Sequence, residues 1–419
     1  MTRRAWTGPR VTMWRVGAAA LSAGLLLAPG LSSTAQAARP TPPSSLKVLS
    51  SGVARYLTWS ESTPGTGFVV QQSPTSNFSS SVINYTMRGP GRTLSPYRAV
   101  QGRKYYFRVR AVSSGSYSGW SSKVSYTVPN ALSAIRVVTY NSMSASADPS
   151  HNGGTAAPWS QRRPKQLSLL SNSGAAVIAI QEGAACIIKY TDGTSCYRQI
   201  DSLADGLSPK YRLDDTAVTT QRSQRYLGNY LLYEPSVVAT VGGGGNWMIG
   251  ASSNQGQTAR YQIFRVIATG AKFLFVNTHL TTGTSYTGDK IRGTETQEML
   301  NDARNYAANQ GVSSIIYVGD FNTYVGEWHV TDISGNKMRA AHVPDGVEVA
   351  QSKVRAQYDS PNVLYRCPHK NHGSIDHIYA SGGVGVVGWG ELLQLSSGCF
   401  VGAIPSDHNP IYETVQIPY

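Results

Sequence analysis

The chain has 419 residues, of which 41% are hydrophobic and 14% are charged, so it is long enough for two domains with apolar cores. Its formal net charge of +14 is unevenly distributed. Residues 1–37 contribute +4 and residues 38–133 contribute +10, whereas residues 134–419 hold twenty-two charges of each sign. A charge argument for binding polyanions therefore applies to the first third of the chain and not to the remainder.

Residues 1–37 are predicted to be a secretory signal peptide. The stretch begins with four arginines and continues into an apolar run, Val16 to Ala28, which is short for a membrane span. Ala35-Gln-Ala37 supplies a small-residue cleavage motif. The sequence therefore predicts a secreted chain whose mature part has no transmembrane segment.

The four cysteines suit an oxidising compartment. They allow three pairings, of which we favour Cys186–Cys196 and Cys367–Cys399, because each closes a local loop. An alternative for the later region is a metal site in the segment Cys367-Pro-His-Lys-Asn-His372. That segment lacks a second pair of ligands at the spacing typical of zinc sites.

Residues 38–45 form a Pro/Ser-rich linker, and residues 46–129 alternate apolar and polar positions in short runs separated by turns. This pattern predicts a β-sandwich. The segment resembles a fibronectin type III domain in Trp59, in Gly102-Arg-Lys-Tyr105 with the following Phe-Arg-Val-Arg-Ala111, and in Trp120-Ser-Ser. Such modules are spacers or adhesion units, and the charge of +10 favours binding to an acidic polymer or a cell surface.

From residue 134 onward, strands alternate with helices, which are predicted from Pro164 to Leu170 and from Thr294 to Asn309. Gly242–Gly245 is predicted to be a flexible turn and not a phosphate loop, because no Gly-Lys-Ser/Thr follows. Six polar motifs accompany short apolar strands, where one rim of a sheet gathers them. They are Thr-Tyr-Asn141, Ile-Gln-Glu182, Asn-Thr-His279-Leu, Gly-Asp320-Phe-Asn322, Ile-Asp376-His and Ser-Asp407-His408-Asn-Pro.

These motifs, in this order, resemble those of the endonuclease/exonuclease/phosphatase superfamily, which includes deoxyribonuclease I and bacterial sphingomyelinases. The resemblance extends from Ile135 to Tyr419. It implies a four-layer α/β sandwich over residues 134–419. The predicted fold class is therefore multidomain, with an all-β fibronectin type III sandwich over residues 46–129 followed by a deoxyribonuclease I-like domain.

The resemblance also implies roles for individual residues. The metal ligands would be Asn141, Glu182 and Asp407, holding Mg²⁺ or Mn²⁺, since these ions prefer oxygen ligands. The catalytic residues would be His279, Asp320, Asn322, Asp376 and His408. His408 would be the general base or proton shuttle, oriented by Asp376, and Asp320 would position or deprotonate the attacking water. Asn322 and His279 would donate hydrogen bonds to the phosphoryl oxygens.

One stretch departs from the family pattern. Deoxyribonuclease I has an acid that partners the histidine matching His279, and the corresponding stretch here, Gln221 to Tyr230, contains none. Asn229 and Tyr226 are candidates to fill that space. The six remaining histidines are interpreted as non-catalytic: His151, His329, His342, His369, His372 and His377.

The sequence thus predicts a secreted, metal-dependent phosphoesterase that hydrolyses phosphodiester bonds, with an extracellular nuclease preferred. The alternatives are a sphingomyelinase-like phospholipid phosphodiesterase or a small-molecule phosphatase. The lipid alternative predicts an exposed apolar hairpin near the site, for which Trp247, Trp328 and Trp389 are candidates. A non-enzymatic binding protein is disfavoured because the set of motif residues is intact.

Overall fold

The structure of the protein is a computed structural model. It describes residues 39–51, 54–60, 67–87, 93–94, 102–128, 131–147, 156–189, 196–214, 228–250, 257–283, 285–323, 332–350, 352–371, 373–381 and 383–419. The predicted signal peptide lies outside the described residues, as do His151, Tyr226, Trp328, His329 and His372.

Two β-sheets occupy the first third of the chain. Their strands are β1 (Ser44–Ser51), β2 (Ala54–Ser60), β3 (Gly67–Ser73), β4 (Ile83–Met87), β5 (Thr93–Leu94), β6 (Lys104–Ser113), β7 (Ser116–Tyr117) and β8 (Val124–Thr127). One sheet has the order β1-β2-β5; the other has the order β4-β3-β6-β7, with β8 also paired to β6. Trp59 and Phe68 are buried and meet edge-on, with their ring centroids 5.3 Å apart. The all-β prediction agrees with these sheets, while the identification as fibronectin type III stays a prediction.

The rest of the chain alternates strands with helices. Its described strands are β9 (Leu132–Asn141), β10 (Val177–Gln181), β11 (Cys186–Lys189), β12 (Cys196–Arg198), β13 (Arg212–Leu213), β14 (Tyr230–Tyr233), β15 (Val238–Ile249), β16 (Gln257–Val266), β17 (Lys272–His279), β18 (Ile315–Asp320), β19 (Ser352–Val354), β20 (Asp376–Ala380), β21 (Gly385–Glu391), β22 (Leu395–Ser396), β23 (Cys399–Phe400) and β24 (Ile411–Pro418). Its described α-helices are α1 (Trp159–Ser171), α2 (Gln199–Leu207), α3 (Tyr286–Asn309), α4 (Ile333–Ala340) and α5 (Gly346–Val349), and a 3₁₀ turn spans Ala145–Ala147.

These strands build two larger sheets and two small hairpins. The seven-stranded sheet has the order β13-β14-β10-β9-β24-β21-β19, and the five-stranded sheet has the order β15-β16-β17-β18-β20. The hairpins are β11-β12 and β22-β23. The central strands of both sheets are almost wholly buried, because each sheet is covered on both faces.

Side-chain alternation along the strands produces four layers. On β9, Val137 belongs to the apolar cluster between the two sheets, whereas Val138 belongs to the cluster beneath α1 and α2. On β18, Ile316 faces the same inter-sheet cluster, whereas Tyr317 packs with Met299 of α3. Successive strand residues point to opposite faces, so each sheet contributes to two cores. The layer order is helices, seven-stranded sheet, five-stranded sheet and helices, as predicted.

Three local predictions differ from the structure. Helix α1 begins at Trp159 and includes Pro164, whereas the helix was predicted to begin at Pro164. Gly242–Gly245 is not a turn, since it lies within β15, where the pairing with β16 shifts register between Val241 and Gly245. A β-bulge explains a glycine run inside a strand. Helix α3 begins before the predicted Thr294, at Tyr286, because the Ser285 side chain accepts a hydrogen bond from Gly288 N at 3.1 Å and caps it.

Both favoured disulfides, Cys186–Cys196 and Cys367–Cys399, are present. The second bond excludes Cys367 as a metal ligand, so the alternative metal site in that segment is wrong. Among the residues that the structure describes, no helix is long and apolar enough to cross a bilayer.

Candidate active site

The strand registers bring the predicted polar residues to one edge of the two sheets. β9 runs parallel to β10 with Asn141 opposite Gln181, and Glu182 follows directly. In the other sheet, β17 runs parallel to β18 and places His279 opposite Asp320. The antiparallel neighbour β20 places Asp376 opposite Asp320 as well.

Gly319 allows the close strand approach that precedes Asp320. Its φ is 144°, and a Cβ atom added there would lie 1.9 Å from the carbonyl oxygen of Thr278. A side chain at this position would therefore displace β17 or β18. The glycine of the Gly-Asp-Phe-Asn motif is therefore required by the close packing of β17 against β18, within the strand.

The Glu182 carboxylate is held by two donors. Its Oε1 accepts a hydrogen bond from Asn141 Nδ2 at 3.0 Å, and its Oε2 accepts one from Ser144 N at 2.9 Å. Glu182 has a φ of 61°, in the left-handed region that non-glycine residues rarely adopt. Such strain costs of order 1–3 kcal/mol and is concentrated at functional sites.

Asp320 lies at the centre of the site. Its Oδ2 accepts a hydrogen bond from Asn141 Nδ2 at 3.0 Å and lies 3.5 Å from His279 Nε2 and 3.7 Å from His408 Nε2. Its Oδ1 accepts a hydrogen bond from Asn322 N at 2.9 Å. Burial alone would raise the pKa of Asp320, but the two histidines and the hydrogen bonds lower it. Asp320 is therefore an ionised carboxylate.

His408 and Asp376 form a hydrogen-bonded pair, with 2.8 Å between Nδ1 and Oδ2. Burial would lower the pKa of His408, but the Asp376 and Asp320 carboxylates raise it well above its usual value. The potential ligand atoms of Asp320, Asp376 and His408 lie within 4.8 Å of one another. Because a proton already joins His408 to Asp376, this trio is better suited to proton transfer than to holding a cation.

Asp407 faces the Glu182 side of the site. Burial raises the pKa of Asp407, and the negative charge of Glu182 raises it further against the opposing effect of His408. Asp407 and Glu182 are acidic groups close enough for their charges to interact, and carboxylate oxygens are the donors that divalent cations prefer. Each carboxylate oxygen of Glu182 retains a second lone pair for such a cation. The residues present therefore fit Mg²⁺ or Mn²⁺.

Asn141 and Asn322 are already engaged by the protein. Asn141 Oδ1 accepts a hydrogen bond from Met143 N at 3.0 Å, so its amide links two carboxylates through Nδ2. Asn322 Nδ2 donates to Leu280 O at 2.9 Å and retains a second N–H.

Two residues that hold the Ser144 loop, Arg162 and Gln199, were not predicted from sequence motifs. Arg162 is fully buried in α1 and donates to Met143 O at 3.0 Å and to Ser144 O at 3.2 Å. Gln199 accepts a hydrogen bond from Ala145 N at 2.6 Å. Both hold the loop whose Ser144 amide contacts Glu182. A buried arginine on a helix has no distinguishing sequence signal, since arginines are usually exposed.

Ser360 supports the opposite side of the site. Its Oγ accepts hydrogen bonds from Ile375 N at 3.0 Å and Asp376 N at 3.1 Å, and its carbonyl oxygen accepts one from Asn409 N at 2.7 Å. It thereby connects the segments that carry Asp376 and His408.

Other candidates lie in structural roles. His377 is buried between Asp345 and the carbonyl oxygen of Thr323, as expected of a non-catalytic histidine. Asn229 Nδ2 donates to Thr258 O. Trp247 stacks on Tyr261 with 3.9 Å between centroids, and Trp389 is buried. Neither tryptophan forms the exposed apolar hairpin considered for a lipid enzyme.

Comparison with known proteins agrees with this architecture. A structure from Bacteroides thetaiotaomicron described as an endonuclease/exonuclease/phosphatase family protein has a TM-score of 0.51 at 17% identity, covering 68% of this chain and 98% of its own. A mannosyl-6-phosphatase from the same species has a TM-score of 0.49 at 18% identity, covering 67% and 99%. The human Nocturnin catalytic domain has a TM-score of 0.45 at 15% identity, covering 68% and 94%.

At these identities the first structure supports the fold alone. No curated protein sequence matches the chain significantly. The profile of the Endonuclease/Exonuclease/phosphatase family matches residues 138–408, which contain every predicted site residue. The chain belongs to the endonuclease/exonuclease/phosphatase family, whose members hydrolyse phosphoester bonds.

Proposed function

We propose that the chain is a secreted, divalent-metal-dependent phosphodiesterase that cleaves nucleic acid. The observation that carries the catalytic part is the bridging of two carboxylates by one amide. Asn141 Nδ2 lies 3.0 Å from Glu182 Oε1 and 3.0 Å from Asp320 Oδ2, and His408 Nε2 lies 3.7 Å from the same Asp320 oxygen. A cation-binding acid and a proton-accepting acid are thus held side by side.

Glu182 and Asp407 would hold the cation, with Asn141 beside them. When bound, Mg²⁺ or Mn²⁺ supplies positive charge to the phosphoryl oxygens and orders water near them. The strained backbone of Glu182 and the Ser144 amide fix the direction of the carboxylate before substrate arrives. Such preorganisation avoids a reorganisation cost during the reaction.

Of the remaining residues, Asp320 and His408 would transfer protons, and His279 and Asn322 would bind the phosphoryl group. Asp320, ionised and buried, accepts a proton from the attacking water, and His279 and Asn322 donate hydrogen bonds to the phosphoryl group. His408, whose pKa is raised by Asp376 and Asp320, holds a proton that it gives to the leaving oxygen. This assignment refines the general-base role expected for His408, because a histidine already protonated is an acid.

The nucleic-acid assignment rests on two sequence features, the predicted secretion and the excess positive charge of residues 38–133. A phospholipid substrate is the second candidate, and a specific observation favours it. Val363, Tyr365 and Val401 are 56%, 53% and 60% exposed. Val363 N donates to Asp407 O, so the segment with Val363 and Tyr365 contacts the site, and the bond from Phe400 N to Arg366 O brings the segment with Val401 next to it.

A substrate panel separates the candidates. The purified protein is incubated with plasmid DNA, RNA, sphingomyelin vesicles and p-nitrophenyl phosphate, each with Mg²⁺, Mn²⁺ or EDTA. The proposal expects nucleic-acid degradation that EDTA abolishes. Phosphocholine release with intact DNA and RNA would replace it with the phospholipid function.

A further inference from the structure

The outward face of β6 carries a stack of alternating rings and guanidinium groups. Along this strand, Tyr105, Phe107, Val109 and Ala111 are buried, so the alternate residues point away from the core. Arg108 lies 4.2 Å from the ring centroid of Phe78 and 4.4 Å from that of Trp120. Arg110 lies 4.6 Å from Trp120 and 3.9 Å from Tyr117. We call these five residues, Phe78, Arg108, Trp120, Arg110 and Tyr117, the arginine ladder.

Both arginines are held by neighbouring side chains, but no carboxylate among the described residues balances their positive charge. Arg108 Nε donates to the uncharged Gln71 at 2.8 Å, and Arg110 Nε has no hydrogen-bond partner among the described residues. Neither arginine forms an ion pair with a carboxylate in the described part of the chain. Partial burial and the neighbouring charge of Arg110 lower the pKa of Arg108. An anion placed against both would relieve this repulsion.

The surroundings of the ladder add charge of the same sign. Residues 38–133 contain eleven Lys and Arg residues and one acidic residue, Glu61. Lys104 is exposed on the same face of β6, and Lys123 anchors its Nζ to Ser76 O at 3.1 Å. A positive surface fixed on a sheet, with no ion pair to a carboxylate at Arg108 or Arg110 among the described residues, is complementary to a polyanion.

The stack also determines which part of a polyanion it contacts. The guanidinium faces contact rings, Arg108 Nε is bonded to Gln71 and Arg110 Nε is buried, so the terminal Nη groups are the ones that would donate to phosphate oxygens. Alternate residues of a strand lie about 7 Å apart, so neighbouring arginines can address successive anionic groups of one chain. The rings themselves are occupied, which disfavours base stacking.

We propose that the arginine ladder binds the phosphate backbone of a nucleic acid, independently of sequence, and retains it for the catalytic domain. This inference rests on the proposed function, since it takes the same polymer as ligand. Backbone contacts of this kind depend strongly on salt, because each releases counterions from the nucleic acid.

The test measures binding of a fluorescein-labelled single-stranded oligonucleotide to the full chain, by anisotropy in EDTA over a range of salt concentrations. Arg108→Gln/Arg110→Gln is expected to weaken binding at least tenfold at low salt. It should also reduce the slope of log K against log salt by about 1.4, or about 0.7 per lost contact. Hydrolysis of bis(p-nitrophenyl) phosphate should be unchanged, because the substrate is too small to need the ladder.

Three further variants make the result specific. Lys47→Gln/Lys210→Gln removes the same charge from exposed positions outside the ladder, on β1 and after α2, and should leave affinity within about twofold. Arg108→Lys/Arg110→Lys keeps the charge and should preserve the salt slope while weakening binding less than the Gln pair. Should the Gln pair fail to fold in a thermal melt, Arg108→Gln alone is expected to lower the slope by about 0.7.

Equal losses in the ladder and control pairs would overturn the proposal, since net charge would then explain the binding. Unchanged affinity in the ladder variants would overturn it too. Ladder-dependent binding of dextran sulfate without binding of the oligonucleotide would assign the face to acidic polysaccharide instead. Ladder-dependent oligonucleotide binding by a chain that hydrolyses only sphingomyelin would uphold the ladder and reject the proposed nuclease function.

Discussion

His408 turns one ring nitrogen to Asp376 and the other to Asp320, with Nδ1 2.8 Å from the first carboxylate and Nε2 3.7 Å from the second. The imidazole is therefore oriented by a buried acid that makes no direct contact with the proposed cation ligands in the described hydrogen bonds. The hydrogen bond to Asp376 Oδ2 places a proton on Nδ1 of His408.

Replacing Asp376 by Asn should lower kcat by about 10²–10⁴-fold, because His408 would lose both its orientation and the charge that keeps it protonated. Hydrolysis of bis(p-nitrophenyl) phosphate provides the rate, and circular dichroism checks folding. Asp205→Asn, at an exposed position on α2, is the matched control and should retain parental turnover. Parental turnover in Asp376→Asn would remove Asp376 from the proposed mechanism.

Glu182→Gln should raise the Mg²⁺ concentration needed for half-maximal activity by at least about tenfold, since one charged oxygen donor becomes a neutral amide. A second readout is the rise in Tm on adding Mg²⁺, which follows from binding to the folded state alone. This rise should be present in the parent chain and in Glu234→Gln, and much reduced in Glu182→Gln. An equal Mg²⁺-dependent rise in all three proteins would place the cation elsewhere.

Ser360→Ala should lower kcat about tenfold with little change in KM. The substitution removes the acceptor shared by Ile375 N and Asp376 N and leaves both amides unsatisfied. We expect the pH profile of kcat to shift, because the Asp376 carboxylate would no longer be held against His408. Ser236→Ala, at an exposed position, should behave as the parent. A stability loss with an unchanged pH profile would make Ser360 purely structural.

The two disulfides should differ in their effect on activity. Cys367–Cys399 closes a segment of 32 residues, and its loss should destabilise the fold by about 2–4 kcal/mol. Activity should also fall, since Asp376 lies within the closed segment, and Asn362 and Val363, just before Cys367, donate to the carbonyl oxygen of Asp407. Cys186–Cys196 closes only 10 residues, and its double Ser variant should keep more activity. Chemical denaturation and turnover of both double Ser variants test this; equal turnover in the two would contradict it.

Thermal stability should fall as pH rises from about 5 to about 9. Burial would lower the pKa of His377, but Asp345 at 2.7 Å raises it to about 9, and burial raises the pKa of Glu348 to about 8. Both folded-state values exceed the unfolded ones. Each group therefore contributes stability that is complete below its unfolded pKa and lost as pH rises through its folded pKa.

Calorimetry across this range is the measurement. Glu348→Gln removes one titrating group with a raised pKa, so its Tm should depend less on pH between about 5 and about 8. Glu234→Gln should keep the parental slope. A parental slope in Glu348→Gln would show that Glu348 does not carry the effect.

The sequence predicted that the candidate residues lie at one edge, because most of them follow short buried strands. Asn141, Glu182, His279 and Asp320 each end or follow a strand, and parallel pairing brings such ends to one edge. The four layers were predicted from the family resemblance, and the alternation of β9 and β18 accounts for them physically. The pairing of Asp376 with His408 was also expected and is seen.

The supporting contacts could not be predicted for a definite reason. Ser144 contributes a backbone amide, and Ser360 contributes an ordinary hydroxyl, so neither leaves a pattern in the sequence. Arg162 is buried by tertiary packing that no local periodicity encodes. Gly242–Gly245 was predicted to be a turn, because glycine propensity does not distinguish a turn from a β-bulge. The bulge depends on how β15 pairs with β16.

Beneath the site, Gln181 of the seven-stranded sheet donates from Nε2 to Asn277 Oδ1 of the five-stranded sheet at 2.6 Å. Asn277 Nδ2 returns a bond to Ile180 O at 3.0 Å. Glu182 and Asp320 belong to opposite halves of this sandwich and are joined by the Asn141 amide, so their separation depends on how the two sheets pack. Substitutions in the apolar cluster between the two sheets would therefore change the distance between Glu182 and Asp320. Turnover would change although the substituted residue contacts no reacting atom.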